Sequence, residues 1–380
     1  MARDEAIVRR GCMLSYRGLR SLLFLLPPDA AHAVAFAALA PLEHVRPLRA
    51  LAERLLAARP RRRDERLVVR RMGLEFESPL GLAAGFDKNA KRPHSLAALG
   101  FDHLELGTVT ARAQAANPRP NLFRLPDDRA LVNRLGFPND GAQRIAARLR
   151  RVRREVGVPI GMSIGKSRVI PAEDLDGVIT DYLGSLRSVR DVADFVVVNV
   201  SSPNTAGLRQ MQARAHATAL LGAIAAAGEG IPLLVKIAPD LDDGEIEELL
   251  AVVEAVGFSG VVATNTTVAR GGLTTTAGRI AAVGPGGLSG PPLRDRALAV
   301  VRRVRARLGP ERVVIGVGGI ESADHAIAFV RAGADLVQMY TGFVYGGPGA
   351  PSRIRRELSA LVAREGAQSI MDLVGADLKT

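Results

Sequence analysis

Apolar residues recur along this chain with two different periods. Near the N-terminus, Leu19, Leu22, Leu23 and Leu26 stand at i, i+3, i+4 and i+7 with Arg17 and Arg20 beside them, the spacing of a short amphipathic helix. Pro27 and Pro28 stop it. An Ala-rich second helix is predicted to follow, N-capped by Asp29 and carrying Val34, Ala38 and Leu42, with Pro41 limiting its regularity. From Leu67 onward, short apolar runs alternate with longer helical stretches, which predicts repeated βα units and a parallel sheet. Strands are predicted near 80–84, 102–107, 158–163, 195–199, 233–237, 260–264, 313–317 and 335–339. Eight such strands imply an α/β fold closed as a (β/α)8 TIM barrel. Leu67–Arg70 and Leu74–Ser78 predict a small hairpin closing the barrel's N-terminal end, and the Gly/Thr-rich stretch Gly271 to Gly290 predicts a long, mobile loop. The chain thus divides into a helical extension (1–50), a connector with the hairpin (51–78), the barrel (79–366) and a C-terminal tail (367–380).

The N-terminal helices can be read as a signal peptide, a spanning helix or an interfacial pair. The apolar run Leu22 to Leu26 is short for a signal sequence, and nothing approaches the roughly 20 continuous apolar residues that spanning requires. An interfacial anchor is favoured over helices that simply pack on the barrel.

Composition narrows the chemistry. A hydrophobic content of 47% with 4% aromatics and no Trp suits a barrel core of Ala, Val, Leu and Ile. The formal charge of +12 gathers at Arg59–Arg63 and Arg148–Arg154, where no aromatic residues interleave as they do in single-strand binders. These clusters read as solvated faces that also attract anionic lipid, and not as a nucleic-acid site. Cys12 is the only cysteine, so no internal disulfide or Cys cluster is possible, and the six His residues lack the spacings of a catalytic metal site. No metal is expected.

The chemistry concentrates at predicted strand ends. After the apolar run Phe195–Val198 comes Asn199-Val200-Ser201-Ser202-Pro203-Asn204-Thr205-Ala206-Gly207-Leu208-Arg209, a polar loop where α/β enzymes place their working groups. Asn133, Asn199, Asn204 and Asn265, with Thr266 beside the last, are amides at four different strand or loop ends that can match a planar ring of donors and acceptors. Any one of them alone reads as a turn or cap residue. Lys88 can supply a cation. Lys236 ends a strand, where a buried ammonium needs an anionic partner; a salt bridge at the rim is the structural alternative. Gly318-Gly319, Tyr340-Thr341 and Ser289-Gly290 lie where barrels bind phosphate through backbone N–H groups, although a bare Gly-Gly more often marks a turn.

The loop at Asn199–Arg209 resembles the active-site segment of the dihydroorotate dehydrogenases, specifically their membrane-associated, quinone-using class 2. The likeness continues through Gly81–Lys88, Glu105–Thr110, Asn117–Pro120, Phe123–Leu125, Asn133–Phe137, Val235–Asp240, Ala263–Thr267, Gly286–Gly290, Ile315–Ile320 and Val337–Thr341, in the family's order. The resemblance implies oxidation of dihydroorotate to orotate in pyrimidine synthesis, with FMN as hydride acceptor and a membrane quinone as final acceptor. By the same resemblance Ser202 is the base, Thr205 lies on the proton's exit path and Phe137 shields the reacting face. FMN would be held by Ala83, Ala84, Gly85, Lys88, Thr108, Asn133, Ser163, Asn199, Lys236, Thr264, Ser289, Gly290, Gly318, Gly319, Tyr340 and Thr341. The substrate would meet Lys88, Asn133, Phe137, Asn199, Asn204, Asn265 and Thr266.

His32, Arg124 and Tyr340 match positions near the family's quinone tunnel; apart from the resemblance, His32 reads as a helix-packing residue. A monomer, peripheral on the cytoplasmic face of the inner membrane, is implied. Two departures stand out: Pro138-Asn139 replaces the usual Asn-Asn or Asn-Ser pair, and Ser163 replaces an Asn that contacts the flavin. Class 1 relatives and the tRNA dihydrouridine reductases each use a barrel Cys that this chain lacks. A basic membrane- or RNA-associated protein that has kept only the barrel is the non-catalytic alternative.

Overall fold

The structure, a computed structural model, describes residue 16, residues 18–57 and residues 63–378. Arg17, Cys12 and Arg59–Arg62 therefore lie outside the described residues. Eight parallel strands close a barrel: β1 (Leu80–Leu82), β2 (Leu104–Val109), β3 (Ile160–Ile164), β4 (Phe195–Asn199), β5 (Leu233–Ile237), β6 (Gly260–Ala263), β7 (Val313–Val317) and β8 (Leu336–Met339). Each pairs with its neighbours in sequence, and β8 returns to β1. Strands β2 to β6 are buried along their whole length, which explains why they read as continuous apolar runs without alternation. The predicted strands and the observed ones coincide to within two residues at each end.

Helices such as Leu175–Val189, Arg214–Ala227, Asp243–Ala255 and Arg294–Leu308 cover the outside, and their buried Leu, Val and Ile side chains join a core continuous with the strands. Asp242 and Glu245 form a reciprocal capping box that starts the helix Asp243–Ala255. The helix Ala142–Val152 buries Ile145, Ala146 and Leu149 while Arg144, Arg150 and Arg151 face outward, the solvated face predicted for that basic run.

The hairpin forms as Val69–Arg71 against Leu74–Phe76, and Phe76 packs edge-on against His103 at the start of β2, with ring centroids 5.6 Å apart. Arg71 also binds Asp335, at the foot of β8, at 2.7 Å. Asp335 is fully buried, and its carboxylate additionally takes the Arg305 guanidinium and the Val314 amide. Breaking a buried, hydrogen-bonded pair strands the remaining charges, so Asp335→Ala is expected to cost about 3–5 kcal/mol. Denaturant unfolding of the variant against the parent protein measures this directly; a loss within the range of ordinary surface changes, below ~0.5 kcal/mol, would show the network to be dispensable.

Two expectations are corrected. Asp29 is not the N-cap: the second helix runs Pro28–Ala38 with Pro27 at the cap and Asp29 inside the first turn. Pro28 takes the first helical position, where its fixed φ and missing N–H carry no penalty. That helix ends before Leu39, and Ala40–His44 continues separately with Pro41 in its first turn, so the predicted irregularity at Pro41 is observed.

The stretch Gly271 to Gly290 is not a structureless loop. It contains the helix Ala277–Val283 and the strand Gly287–Ser289, which adds antiparallel to Ala130–Asn133, itself paired with Leu122–Leu125. The buried Asp128 carboxylate accepts from the amides of Thr274 and Thr275, and the Arg134 guanidinium donates to the Val283 and Pro285 carbonyls. Those bonds supply the partners that the Gly-rich backbone lacks locally. The resulting three-stranded sheet lies over the C-terminal ends of the barrel strands and forms one wall of the site.

Candidate functional site

A cleft opens at the C-terminal ends of the strands, about 1040 Å³ counted out to solvent. It is lined by residues from the ends of seven of the eight strands, all but β3, and from the three-stranded sheet, which is the usual location of working groups in this architecture. Of the residues selected from sequence, Ala83, Ala84, Gly85, Lys88, Thr108, Asn133, Phe137, Asn199, Ser202, Asn204, Lys236, Thr264, Asn265, Thr266, Ser289, Gly290, Gly318, Gly319, Tyr340 and Thr341 all line it. Ser163, Thr205, His32 and Arg124 do not.

The amides are tied to one another. Asn199 donates to Thr108 Oγ1 at 2.9 Å, and its Oδ1 accepts from Asn265 Nδ2 at 3.2 Å. Asn204 Nδ2 donates to Asn133 Oδ1 at 3.1 Å. The fully buried Tyr182 donates its hydroxyl to the Asn199 carbonyl at 2.8 Å and so holds the end of β4 from behind. Such cross-links fix which edge of each amide faces the cleft.

Ser202 sits at the start of the loop after β4, 5% exposed, with its Oγ accepting from the Asn204 amide at 3.2 Å. Arg209 clamps that loop: it donates to the carbonyls of Ser201 and Thr266 at 3.2 and 3.1 Å and pairs with Asp240 at 2.8 Å. This tie between the loops after β4, β5 and β6 was not assigned from the sequence; an Arg closing an otherwise polar, uncharged loop was the available signal. Thr205, in the same loop, has its Oγ1 buried with no hydrogen-bond partner among the described residues.

Ser163 is fully buried, and its hydroxyl lies 2.9 Å from Thr108 Oγ1. Ser163 does not line the cleft, and its contact with it runs through Thr108, which does. The Pro138-Asn139 departure is absorbed locally: Asn139 donates to Thr110 Oγ1 and the Phe137 carbonyl, and accepts from the Gly141 amide. Phe137 itself is held at φ +56°, the left-handed region that a bulky residue rarely occupies. Asn139 Nδ2 on the Phe137 carbonyl, with the Gln114 side chain on the preceding Gly136 carbonyl, secures that conformation.

Two ammonium groups face the cleft. Lys88 donates to the Gly85 carbonyl at 2.5 Å and forms no ion pair among the described residues. Burial, partly offset by the Asp87 carboxylate, lowers its pKa to about 8. Lys236 does have an anionic partner, Glu105 on β2, at 3.6 Å. Glu105 is a lone carboxylate in an apolar strand, and the pair it forms lies buried inside the barrel and not at the rim.

At the opposite end, Gly290, Gly318 and Gly319 stand at φ +109°, +153° and +66°, so backbone N–H groups are presented where side chains are excluded. A Cβ at Gly319 would come within 2.8 Å of the Gly290 carbonyl. Ser289 and Thr341 share a hydroxyl–hydroxyl bond of 2.8 Å beside them.

The N-terminal helices meet the barrel beside this cleft. The first, helical over 18–25, is pinned by Arg20 to the Tyr345 carbonyl at 3.0 Å. Arg124 lies 4.4 Å from the Phe24 ring and donates to the carbonyls of Phe24 and Leu26. His32 packs edge-on against Phe86 at 5.6 Å, and Phe86 against Tyr340 at 5.8 Å. An aromatic run thus leads from the helices to the cleft wall. Burial, reinforced by the Lys88 charge, lowers His32 to about 4, so its imidazole is neutral. Burial likewise raises Tyr340 to about 12. The outer surfaces of the helices expose Leu19, Leu22, Leu25, Leu48, Leu51 and Leu55, with Leu25 81% exposed. No helix among the described residues is long and apolar enough to cross a membrane.

The chain matches the family model described as dihydroorotate dehydrogenase over residues 66–362. It is 50% identical over 365 residues to a dihydroorotate dehydrogenase (quinone) of Thermobifida fusca, covering 94% of this chain and 95% of that protein. A Mycobacterium tuberculosis protein of the same description is 46% identical over 361 residues, with 95% and 98% covered. Among solved structures, DHODH of Eimeria tenella in complex with ferulenol superposes with a TM-score of 0.79 at 32% identity, covering 88% of this chain and 96% of that one.

Proposed function

Because the chain belongs to the dihydroorotate dehydrogenase family, we propose that it oxidises (S)-dihydroorotate to orotate in pyrimidine synthesis, with FMN bound in the cleft and a membrane quinone as final acceptor. The observation that carries this reading is the convergence, in one cleft, of four amides, the Lys88 cation and the Ser202 hydroxyl. Those groups complement a planar ring of amides bearing a carboxylate, which small-molecule sites recognise by a few convergent polar groups.

The residues present fit FMN. The bare backbone at Gly290, Gly318 and Gly319, with Ser289 and Thr341, suits its phosphate. Ala83, Ala84 and Gly85 leave room for a flat ring, with Thr108, Thr264 and Tyr340 around it, and Lys236 offers positive charge at the cleft floor. Ser163 acts on the cofactor through Thr108. When bound, the flavin supplies the two-electron acceptor chemistry that this chain's side chains lack.

Asn133, Asn199, Asn204, Asn265 and Thr266 orient the substrate ring, and Lys88 binds its carboxylate. Phe137 covers the reacting face and excludes water. Ser202 Oγ takes the proton from the ring carbon; a serine hydroxyl is a weak base, so it must pass that proton on. The buried, unpartnered Thr205 hydroxyl in the same loop supports an exit through Thr205 and an ordered water.

The exposed leucines of the N-terminal helices and the basic surface support peripheral attachment to an anionic membrane; the cytoplasmic face of the inner membrane and a monomeric state are what the family resemblance implies. The run His32, Phe86, Tyr340, with Arg124 across the Phe24 ring, supports a quinone path between helices and barrel. Removing residues 1–45 is therefore expected to preserve reduction by dihydroorotate and to abolish efficient turnover of long-chain quinone. Unchanged quinone affinity in the truncated protein would place the path elsewhere.

The whole reading is tested by anaerobic mixing with dihydroorotate while flavin absorbance is followed, then addition of a short-chain quinone. Bleaching followed by recovery is expected. A bound flavin that dihydroorotate does not bleach would overturn the substrate assignment.

A further inference from the structure

Beneath the cleft, the barrel interior carries polar side chains whose hydrogen-bonding capacity is unmet. Glu105 is fully buried, and neither carboxylate oxygen has a hydrogen-bond partner among the described residues. Its ion pair with Lys236 is long, 3.6 Å. Gln338, on β8, is fully buried with Oε1 unbonded, and the fully buried His103 leaves Nδ1 unbonded. Phe76 of the hairpin packs against His103 from below. Lys236 and Gln338 also line the cleft, so this polar line begins at the floor of the site.

A buried ion pair stabilises a fold only when its geometry is good and its remaining lone pairs are satisfied; otherwise apolar residues of similar volume serve better. Glu105 meets neither condition, so packing does not account for it. What it does supply is the counter-charge for Lys236, whose ammonium is also almost fully buried.

We infer that Glu105 is a positioning residue that acts through Lys236: its carboxylate holds the ammonium at the cleft floor and limits how much positive field reaches the cofactor. The inference rests on FMN occupying the cleft. Replacing the carboxylate by an amide of the same shape leaves Lys236 uncompensated, so the field becomes more positive and favours the more negative, reduced form of the cofactor.

The test is a spectroelectrochemical titration of the full-length, FMN-loaded protein as wild type, Glu105→Gln, Lys236→Met and the double variant. Glu105→Gln is expected to raise the midpoint by at least ~30 mV, a tenfold shift in a two-electron equilibrium. In the Lys236→Met background the same change is expected to add nothing, because a fully buried carboxyl group that has lost its counter-ion takes up a proton and leaves no charge to remove. An unchanged midpoint in Glu105→Gln, or an equal shift in the Lys236→Met background, overturns the inference. Glu105→Asp keeps the charge but withdraws it from Nζ, and is expected to lie between wild type and Glu105→Gln. A Glu105→Asp midpoint equal to wild type overturns the inference even where Glu105→Gln does not fold. A wild-type protein that takes up no FMN overturns the functional reading and this inference together, whereas a loaded protein with an unresponsive midpoint overturns the inference alone.

Discussion

Ser202→Ala is expected to slow flavin reduction by dihydroorotate by about 10² to 10⁴-fold, the usual contribution of a positioned general base. The substitution removes only the Oγ that accepts from the Asn204 amide, and that amide sits in a partly exposed loop where water can replace the bond. The cleft should therefore keep its shape: the amide cross-links run through Asn133, Asn199, Asn204 and Asn265 side chains, and Arg209 clamps the loop independently of Ser202 Oγ. Anaerobic stopped-flow separates the two effects. Flavin content and substrate Kd should stay near those of the parent protein while the bleaching rate collapses. A variant that bleaches at a near-parent rate would remove Ser202 from the proton transfer, whatever its effect on steady-state turnover.

Lys88→Met is expected to lower kcat/KM for dihydroorotate by about 30-fold to several thousand-fold, the equivalent of ~2–5 kcal/mol for removing one partner of a buried charge pair. Most of the loss should fall on KM, since the carboxylate is bound equally before and during the reaction. A pH dependence follows with a definite sign. Burial holds the pKa of Lys88 near 8, below the ordinary lysine value, so the group is charged below that pH and neutral above it. KM for dihydroorotate is thus expected to be level at lower pH and to rise above pH 8, by up to about tenfold per pH unit, as the cation disappears. Lys88→Met should flatten that limb. A rising limb that survives the substitution would assign the titration to another group.

The cleft brings together what the linear order keeps apart, and the sequence signalled its members unequally. Asn199, Ser202 and Asn204 share one loop, so their grouping is local. Asn133 enters through the three-stranded sheet, where its strand pairs with Gly287–Ser289. That sheet was missed because its strands are only three or four residues long and the last lies in a Gly-rich stretch. Its order comes from Asp128 reaching Thr274, a separation of 146 residues, which no local pattern encodes. Ser163 fell on the predicted strand end, yet the reach of its side chain depends on Thr108 across the β2–β3 pairing.

By itself the sequence determined the eight buried strands, the hairpin, the N-terminal helices and the chemical types gathered at the strand ends. These are legible because side-chain period, proline positions and residue chemistry act over a few residues at a time. Tertiary structure alone decided that Glu105 faces Lys236 across the barrel, that Arg209 ties three loops together, and that the Thr205 hydroxyl is buried without a partner among the described residues. Each of the side-chain pairings depends on where barrel closure places residues distant in sequence. The free energy of a buried charge or an unmet hydroxyl is set by those neighbours and not by its own residue type.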